Sequence, residues 1–268
     1  IMGIYAYSQA KTALLYRTFD QLTSVRIEKK KRVQDFFKQR LNEVKGLKIS
    51  EQFNTPFHEN AYPALQNIHI YNDHFTKQFS YKNKKTHFQY NKPNEEGRFL
   101  SIELNERHQL LFDSLKKDAS HDVRIIELIS DSAFNSEILI YRNYFTSEDT
   151  FLFAFSLDLE QINSIMLDRN PQNGLGESGE AYLVGSDLLM RSISRFEENS
   201  LFKIKVETEG VYYAFQDSIG TSTFDDYRQV HVLSSFSKIQ LQDLDWVILA
   251  EIDYEEAMIP IRSYGYNI

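Results

Sequence analysis

The sequence contains no cysteine, which excludes disulfide bonds, zinc–thiolate sites and a cysteine nucleophile. Proline and glycine are scarce, with 5 and 10 residues among 268, so a collagen-like or low-complexity chain is not expected. No apolar run approaches the roughly 20 residues needed to span a bilayer, and no signal-peptide pattern opens the chain. Any membrane anchor is therefore expected outside these residues.

Basic residues are also fewer than acidic ones. The 30 Lys and Arg residues stand against 38 Asp and Glu, for a formal net charge of -8. Affinity for nucleic acid comes largely from basic side chains that neutralise phosphates, so nucleic acid is not expected as a partner. The composition is 42% hydrophobic and 14% aromatic. That is enough for one large core or two of ordinary size.

A long helix opens the sequence. Residues 11–45 contain no glycine or proline, and apolar residues recur there at helical spacing. The pattern predicts one helix that ends at Gly46 and is roughly 50 Å long, which makes it a stalk or spine. Its basic run, Lys29-Lys30-Lys31-Arg32, is interpreted as a solvated face. Its apolar stripe, which includes Leu15 and Leu22, is expected to bury against its own domain and against a second copy.

One segment of the chain is repeated. Residues 151–166 read FLFAFSLDLEQINSIM, and residues 246–261 read WVILAEIDYEEAMIPI. Each copy starts as an apolar strand and continues as a helical pattern, with Asp158 or Asp253 at the expected N-cap and a Gln or Glu three residues later to complete a capping box. The repeat predicts two similar domains in tandem, each with a last strand that runs into an exit helix. Chance similarity of two strand-to-helix joins is the alternative.

The strongest breaker cluster, Asn-Pro-Gln-Asn-Gly at 170–174, is expected to mark the domain boundary. The predicted organisation is an N-terminal helix (1–49), a first domain (50–157), a linking helix and loop (158–173), a second domain (174–258) and an exit segment (259–268).

In the second domain the pattern predicts a hairpin of 181–184 with 188–192. A short helix over 208–218, with Val211, Tyr212 and Phe215 facing inward, and strands at 230–235 and 246–252 follow. This is the order of a PAS-like sheet, and the fold class is α+β with two such domains in tandem.

Four stretches resemble the double-Cache (tandem PAS-like) sensors of bacterial transmembrane signalling proteins. They are 174–196, which begins GLGESGEAYLVG, together with 24–30, 226–235 and 244–261. The resemblance implies the periplasmic, ligand-sensing region of a cyclase, histidine kinase, phosphatase or chemoreceptor, without catalytic activity of its own. It also implies that the first domain (50–157) is membrane-distal, that the second (174–258) is membrane-proximal, and that the exit segment (259–268) leads toward a second membrane helix. Residues 55–150 do not show the aromatic, arginine and aspartate set by which amino-acid-binding members hold their ligand. The ligand is therefore an unknown small molecule.

Polar residues on the elements that would line the cavity of the second domain are the candidate ligand-binding residues. They are Tyr182, Met190, Arg191, Ser192, Arg195, Tyr213 and Tyr227. Apolar walls with a few placed polar groups suit a small molecule, and an arginine can hold a carboxylate through two hydrogen bonds. The alternative is that Arg191 and Arg195 pair with internal acids such as Glu180 or Asp226 to hold the hairpin.

The exit from the second domain is expected to pass the signal on. The residues assigned to this role are Trp246, Asp253, Glu256 and Pro260. The ring of Pro260 should end or kink the helix, because it clashes with the carbonyl four residues back. The expected partners are the small molecule and a second copy of the chain, bound through the N-terminal helix. No cofactor or metal ion is expected.

Two other functions remain open. One is a ligand-free dimerisation and spacing module, which side-chain-filled cavities in both domains would favour. The other is a soluble hydrolase, which needs two acids facing one cleft. The adjacent acid pairs, such as Asp225-Asp226, are expected to be exposed. Gly174-x-Gly176-x-x-Gly179 is interpreted as a turn, because no strand-turn-helix unit surrounds it.

Overall fold

A computed structural model of the chain describes residues 2–46, 75–82, 85–90, 106–115, 117, 122–129, 136–145, 150–167 and 174–261. The breaker residues 170–173 and the end of the exit segment, 262–268, lie outside these ranges. The helices are α1 (Met2–Lys45), α2 (Glu106–Leu115), α3 (Glu160–Met166), α4 (Glu209–Phe215) and α5 (Tyr254–Ala257). The strands are β1 (Phe75–Lys82), β2 (Lys85–Tyr90), β3 (Arg124–Leu128), β4 (Glu137–Phe145), β5 (Thr150–Leu157), β6 (Glu180–Gly185), β7 (Gly220–Asp225), β8 (His231–Gln240) and β9 (Asp245–Asp253).

The predicted long helix is confirmed. Helix α1 is 44 residues long, which corresponds to roughly 66 Å. It begins earlier than the sequence predicted because no breaker separates its first turns from the apolar stripe. At its end the Gly46 N–H donates to the carbonyl of Asn42 at 2.9 Å.

The chain forms two compact units. One contains α2 and β1–β5, whose antiparallel sheet has the strand order β2-β1-β5-β4-β3. In its described part, α2 packs Phe112 and Leu115 against Leu139, Leu152 and Ala154 of the sheet. The other unit contains α1 as far as Phe37 and the chain from Leu159 onward. Both units combine helices with an antiparallel sheet, so the predicted α+β class is confirmed.

The sheet of the second unit has helices on both faces. Its strand order is β6-β9-β8-β7, and all its pairs are antiparallel. On one face Val247 and Leu249 pack with residues of α4. On the other face Trp246 meets Phe37 of α1 edge to face, with 5.5 Å between the ring centroids. Strand β9 is therefore buried on both faces, which explains its nearly continuous apolar sequence.

Both repeated segments are strands that continue into helices, as predicted. Only one of the two predicted caps is in place, and neither helix has the predicted side-chain cap bond. The N-cap of α3 is Leu159, one residue after Asp158, and it makes no side-chain cap bond. Asp253 does occupy the N-cap of α5, again without a side-chain cap bond. Its carboxylate instead accepts a hydrogen bond from Arg228 at 2.7 Å. An ion pair from a neighbouring turn has replaced the local cap.

Most of the elements predicted in the second domain are present. Strand β7 was not predicted, and residues 188–192 form only isolated bridges, Val184 with Met190 and Leu189 with Lys205. Helix α4 buries Val211 and Ala214, whereas Tyr212 faces solvent instead of the core. The glycine segment is a turn, as predicted, with φ of +95° at Gly174 and +61° at Gly176.

The basic run of α1 is only partly solvated, which corrects the sequence interpretation. Lys29 is buried and donates to the carbonyls of Ile165 and Met166 at 2.7 and 3.3 Å. Those carbonyls lie in the last turn of α3, where intrahelical donors are lacking. Lys30 donates to the carbonyl of Lys238 at 2.6 Å, while Lys31 is exposed.

Candidate functional site

The space between α4 and the second sheet is filled by buried side chains. Met190, Val206, Val211, Val247 and Leu249 form this core, each with 0% exposure. Tyr182 belongs to the same cluster and is equally buried. Two of the candidate ligand-binding residues are thus part of a packed core. A small molecule could reach them only if this core opened.

Arg191 and Ser192 are also fully buried, and both hold the turn after β6 in place. The Arg191 guanidinium lies 2.9 Å from the Asp187 carboxylate and 5.1 Å from the ring centroid of Phe202. A Cβ at Gly185 would stand 2.3 Å from that guanidinium, so only glycine leaves room for it. Arg191 therefore pairs with an acid, as the alternative predicted, but that acid is Asp187 and not Glu180 or Asp226.

The Ser192 hydroxyl accepts a hydrogen bond from the Leu183 N–H at 3.1 Å. Arg195 clamps the glycine turn, because its Nη1 donates to the carbonyls of Gly176 and Gly179 at 2.9 and 2.6 Å. Tyr213 is on the surface and stacks on Phe236, with 5.9 Å between centroids. Ligand binding by these residues stays a prediction.

Tyr227 leads to a feature that the sequence did not single out, a group of buried polar residues that we call the carboxyl cluster. Its members are Glu180, Tyr182, Ser194, Tyr227 and Glu251. The Tyr227 hydroxyl donates to Glu180 Oε1 at 2.6 Å, and the Ser194 hydroxyl donates to Glu180 Oε2 at 2.9 Å. The Tyr182 hydroxyl donates to Glu251 Oε2 at 2.8 Å. The two tyrosine rings meet edge to face at 5.7 Å.

Burial dominates the electrostatics of the cluster. It raises the pKa of Glu251 to about 8, although the hydroxyls of Tyr182 and Ser234 oppose the rise. Burial also raises the pKa of Glu180, but hydrogen bonds from Tyr227, Ser194 and the Arg195 N–H oppose the rise. The pKa of Tyr182 lies well above its usual value for the same reason, so both tyrosines remain hydroxyl donors.

Of the two glutamates, Glu180 was considered only as a partner of Arg191 or Arg195, and Glu251 was missed because it sits in a strand that reads as apolar. Glu251 lies between Ala250 and Ile252, and all three residues are buried. A lone acid inside a nearly continuous apolar strand was the signal that could have found it, since buried acids are rare unless paired. Asp226, expected to be exposed, is in fact buried.

The exit residues are joined to this region by ion pairs and hydrogen bonds. Arg228 bridges Asp226 at 2.6 Å and Asp253 at 2.7 Å. Glu256 accepts hydrogen bonds from the N–H groups of Glu177 and Ser178 at 2.9 and 2.7 Å. Although partial burial acts to raise the pKa of Glu256, hydrogen bonds from the Ser178 hydroxyl and from these two N–H groups lower it. Glu256 therefore ties the exit helix to the glycine turn and does not complete a capping box.

Trp246 is buried against α1, as described above. Pro260 lies in a separate helical turn, 259–261, because α5 already ends at Ala257. This agrees with the effect expected of the proline ring. Across the described ranges, no group of three His, Asp or Glu side chains could hold a metal ion. In the same ranges no helix is both long and apolar enough to cross a bilayer.

No protein-family model matches the sequence, and no curated protein sequence matches it. Solved structures do match. The ligand-binding domain of the Pseudomonas aeruginosa amino acid chemoreceptor PctC, solved with GABA, aligns with a TM-score of 0.59 and 12% identity, covering 88% of this chain and 100% of that one.

The extracellular domain of soHK1S-Z6, assigned as a histidine kinase, gives a TM-score of 0.64 at 12% identity, covering 94% of this chain and 99% of that one. The periplasmic sensory domain of the Campylobacter jejuni chemoreceptor Tlp1 gives 0.54 at 13%, covering 96% and 94%. The chain therefore has the double-Cache fold of chemoreceptor and histidine kinase sensory domains, as the sequence resemblance implied.

Proposed function

We propose that the chain is the extracytoplasmic region of a transmembrane signalling protein, which binds a small molecule and passes a conformational signal to a cytoplasmic output domain. One observation carries the proposal. The chain shares its fold, over 88% to 96% of its length, with domains described as ligand-binding, extracellular or sensory. The region itself is proposed to have no catalytic activity.

The filled core beneath α4 bears on where the ligand binds. With Tyr182, Met190, Arg191 and Ser192 fully buried, the second unit offers these candidates to a ligand only after opening. This supports the unit with the five-stranded sheet as the ligand-binding one. Because PctC was solved with GABA, free amino acids and their amine derivatives are the first compounds to test.

The experiment is to release small molecules from the purified protein, identify them by mass spectrometry, and measure thermal stability with each compound added back. A ligand present at 100 times its Kd should stabilise the folded protein by about 2.7 kcal/mol. Hydrogen exchange with and without the compound then identifies the unit that binds it. Protection confined to β1–β5 supports the assignment, whereas protection of β6–β9 and the 191–195 segment restores the original candidates.

Transmission needs two states with unequal ligand affinity. We propose that the change between these two states is passed to the output domain through the exit segment. There Asp253 is hydrogen-bonded to Arg228, and Glu256 to Ser178. A parallel homodimer through the first half of α1 completes the proposal. Tyr5 and Tyr16 are exposed there, at 68% and 69%.

The filled core also favours a second candidate, a dimerisation and spacing module without a small ligand. The two candidates differ in one measurable respect. If mass spectrometry finds no released compound and no tested compound shifts the melting temperature, while the chain still dimerises, the spacing module is the better description.

A further inference from the structure

Two acidic side chains lie directly opposite each other in the core of the second unit. Glu180 of β6 and Glu251 of β9 are partners in register. Side chains of such partners share one face of the sheet, with their Cβ atoms about 5 Å apart. The two residues are only 3% and 2% exposed. Two negative charges this close, and this far from water, strongly disfavour each other.

The surrounding donors are unequally divided between the two acids. Glu180 accepts from the hydroxyls of Tyr227 and Ser194 and from the Arg195 N–H. Glu251 accepts from the Tyr182 hydroxyl through Oε2, and its Oε1 has no partner with hydrogen-bond geometry in the described chain. Hydrogen bonds to a carboxylate favour its charged form. The charge therefore belongs on Glu180 and the proton on Glu251.

The nearby cations do not neutralise the pair. Arg195 directs its guanidinium to the carbonyls of Gly176 and Gly179. Arg228 binds Asp226 and Asp253 and acts on Glu180 only through space. The other groups that face the pair are the hydroxyls of Tyr182, Tyr227 and Ser194, together with Ser234, the register partner of Glu251 on β8. Asp226 adds further negative potential at Glu251.

We propose that Glu180 and Glu251 form a proton-binding site, in which one proton on Glu251 is released as the pH rises through the neutral to mildly alkaline range, and that the exit segment responds to its release. Burial, which raises the pKa of Glu251 to about 8, is consistent with this range. The proposal does not depend on a small-molecule ligand. In this proposal the second unit responds to the proton itself.

The route to the exit segment is short. Loss of the proton places a second charge beside Glu180, which is bonded to Tyr227 at 2.6 Å. Any movement of Tyr227 shifts the next residue, Arg228, whose Nη2 holds Asp253 at the start of α5 at 2.7 Å. A change of charge in the core therefore reaches α5 through two hydrogen bonds and the peptide bond between Tyr227 and Arg228.

The test is an NMR titration of the full 268-residue chain carrying ¹³C at the glutamate side-chain carboxyls, between about pH 5 and pH 10. The Glu251 signal, assigned by its loss in Glu251→Gln, should titrate with a midpoint at about 8. The backbone amides of Tyr254 and Met258 should shift with the same midpoint. In Glu251→Gln that shift should vanish, because glutamine is a neutral isostere of the protonated acid.

Arg228→Gln separates the two halves of the proposal. It should leave the Glu251 titration in place and remove the response of the Tyr254 and Met258 amides. Glu198→Gln, at an exposed acid, is the matched control and should change neither. A Glu251 midpoint below about 6 would overturn the proton site, and this measurement needs only folded parent protein. An amide response that persists unchanged in Arg228→Gln would overturn the route.

Discussion

At the scale of the single residue, Glu251 ties the stability of its unit to pH. Its pKa in the folded state is about 8, against 4.5 for the free side chain. Between these values the folded state keeps a proton that the unfolded chain has lost. The contribution of Glu251 to the free energy of unfolding is therefore fully present below pH 4.5, falls as the pH rises, and is lost above about pH 8.

The first prediction compares Glu251→Gln with the parent protein by urea denaturation at several pH values. One proton changes the free energy of unfolding by at most about 1.4 kcal/mol per pH unit. From about pH 6 to about pH 8 the parent should lose about 1 to 3 kcal/mol more than the variant. Parallel pH profiles for the two proteins would contradict the assignment of the proton to Glu251.

The second prediction concerns Asp253, which pairs with Arg228 and makes no side-chain cap bond. The pair is partly exposed, so its loss should cost only about 0.2 to 1 kcal/mol. Asp253→Ala and Asp253→Asn should be equally destabilised, because both remove the charge and only asparagine keeps a capping side chain. If the asparagine variant is as stable as the parent, the cap and not the ion pair holds the start of α5.

At the scale of the element, α1 carries cations on the face that it buries. Arg26 donates to the Ser235 and Ser237 hydroxyls at 2.9 and 2.6 Å, and Lys29 donates to the last turn of α3. Burial lowers the pKa of Arg26, as expected for a cation removed from water. These side chains give α1 a fixed register against β8 and α3, which apolar contacts alone would set less strictly.

The third prediction tests that register with a matched pair of lysines. Lys29→Met should destabilise the protein by about 1 to 3 kcal/mol, because the carbonyls of Ile165 and Met166 lose their buried donor. Lys31→Met, two residues away on the exposed face, should stay within about 0.5 kcal/mol of the parent. Thermal unfolding followed by circular dichroism measures both. Equal effects would show that the loss of any lysine in the run acts in the same way.

Strands that are buried on both faces could be predicted from the sequence, and half-exposed ones could not. Strand β9 reads as an apolar run interrupted only by Glu251 between Trp246 and Ile252, because α1 covers one of its faces and α4 the other. Strand β7 lies at the sheet edge, and its sequence, GTSTFD, buries little beyond Phe224. Nothing in its pattern separates it from a loop. The predicted cap bond of Asp253 does not form because its carboxylate pairs with Arg228, and the local sequence does not reveal that pairing.

The candidate site was predictable in part. Tyr182 and Tyr227 were expected on the cavity face, and both belong to the carboxyl cluster. Glu251 was not singled out, and Glu180 was expected only as a partner of an arginine. Register between β6 and β9, rather than spacing along the chain, brings Glu180 opposite Glu251. The buried position of Arg191 likewise depends on the missing side chain of Gly185.

At the scale of the whole molecule, the predicted dimer has to be tested at exposed residues of α1, because part of the apolar stripe is buried in its own unit. Leu22 is buried within its own unit at 1% exposure, so an aspartate there would damage the fold as well as a dimer. Tyr5, Tyr16 and Ile27 are exposed and are spaced by eleven residues. Eleven residues make three helical turns, which places the three side chains along one line of α1.

The fourth prediction is that the parent chain forms a weak, concentration-dependent dimer and that Tyr5→Asp with Tyr16→Asp abolishes it. Ala10→Asp is the control, because Ala10 is exposed about 140° around the helix from Tyr5. Analytical ultracentrifugation measures the assembly, and circular dichroism confirms that each variant is folded. A parent that stays monomeric at the highest attainable concentration would contradict the dimer without affecting the sensor proposal.

The contact between α1 and β8 also fixes an order of events during synthesis. Arg26 and its hydroxyl partner Ser235 are separated by 209 positions along the chain. At a synthesis rate of about 5 to 20 residues per second, Ser235 is made roughly 10 to 40 s after Arg26. Throughout that interval the apolar and cationic face of α1 has no β8 to cover it. We therefore expect this face of the nascent helix to stay accessible to a chaperone, or the helix to remain partly unwound, until the last strands are made.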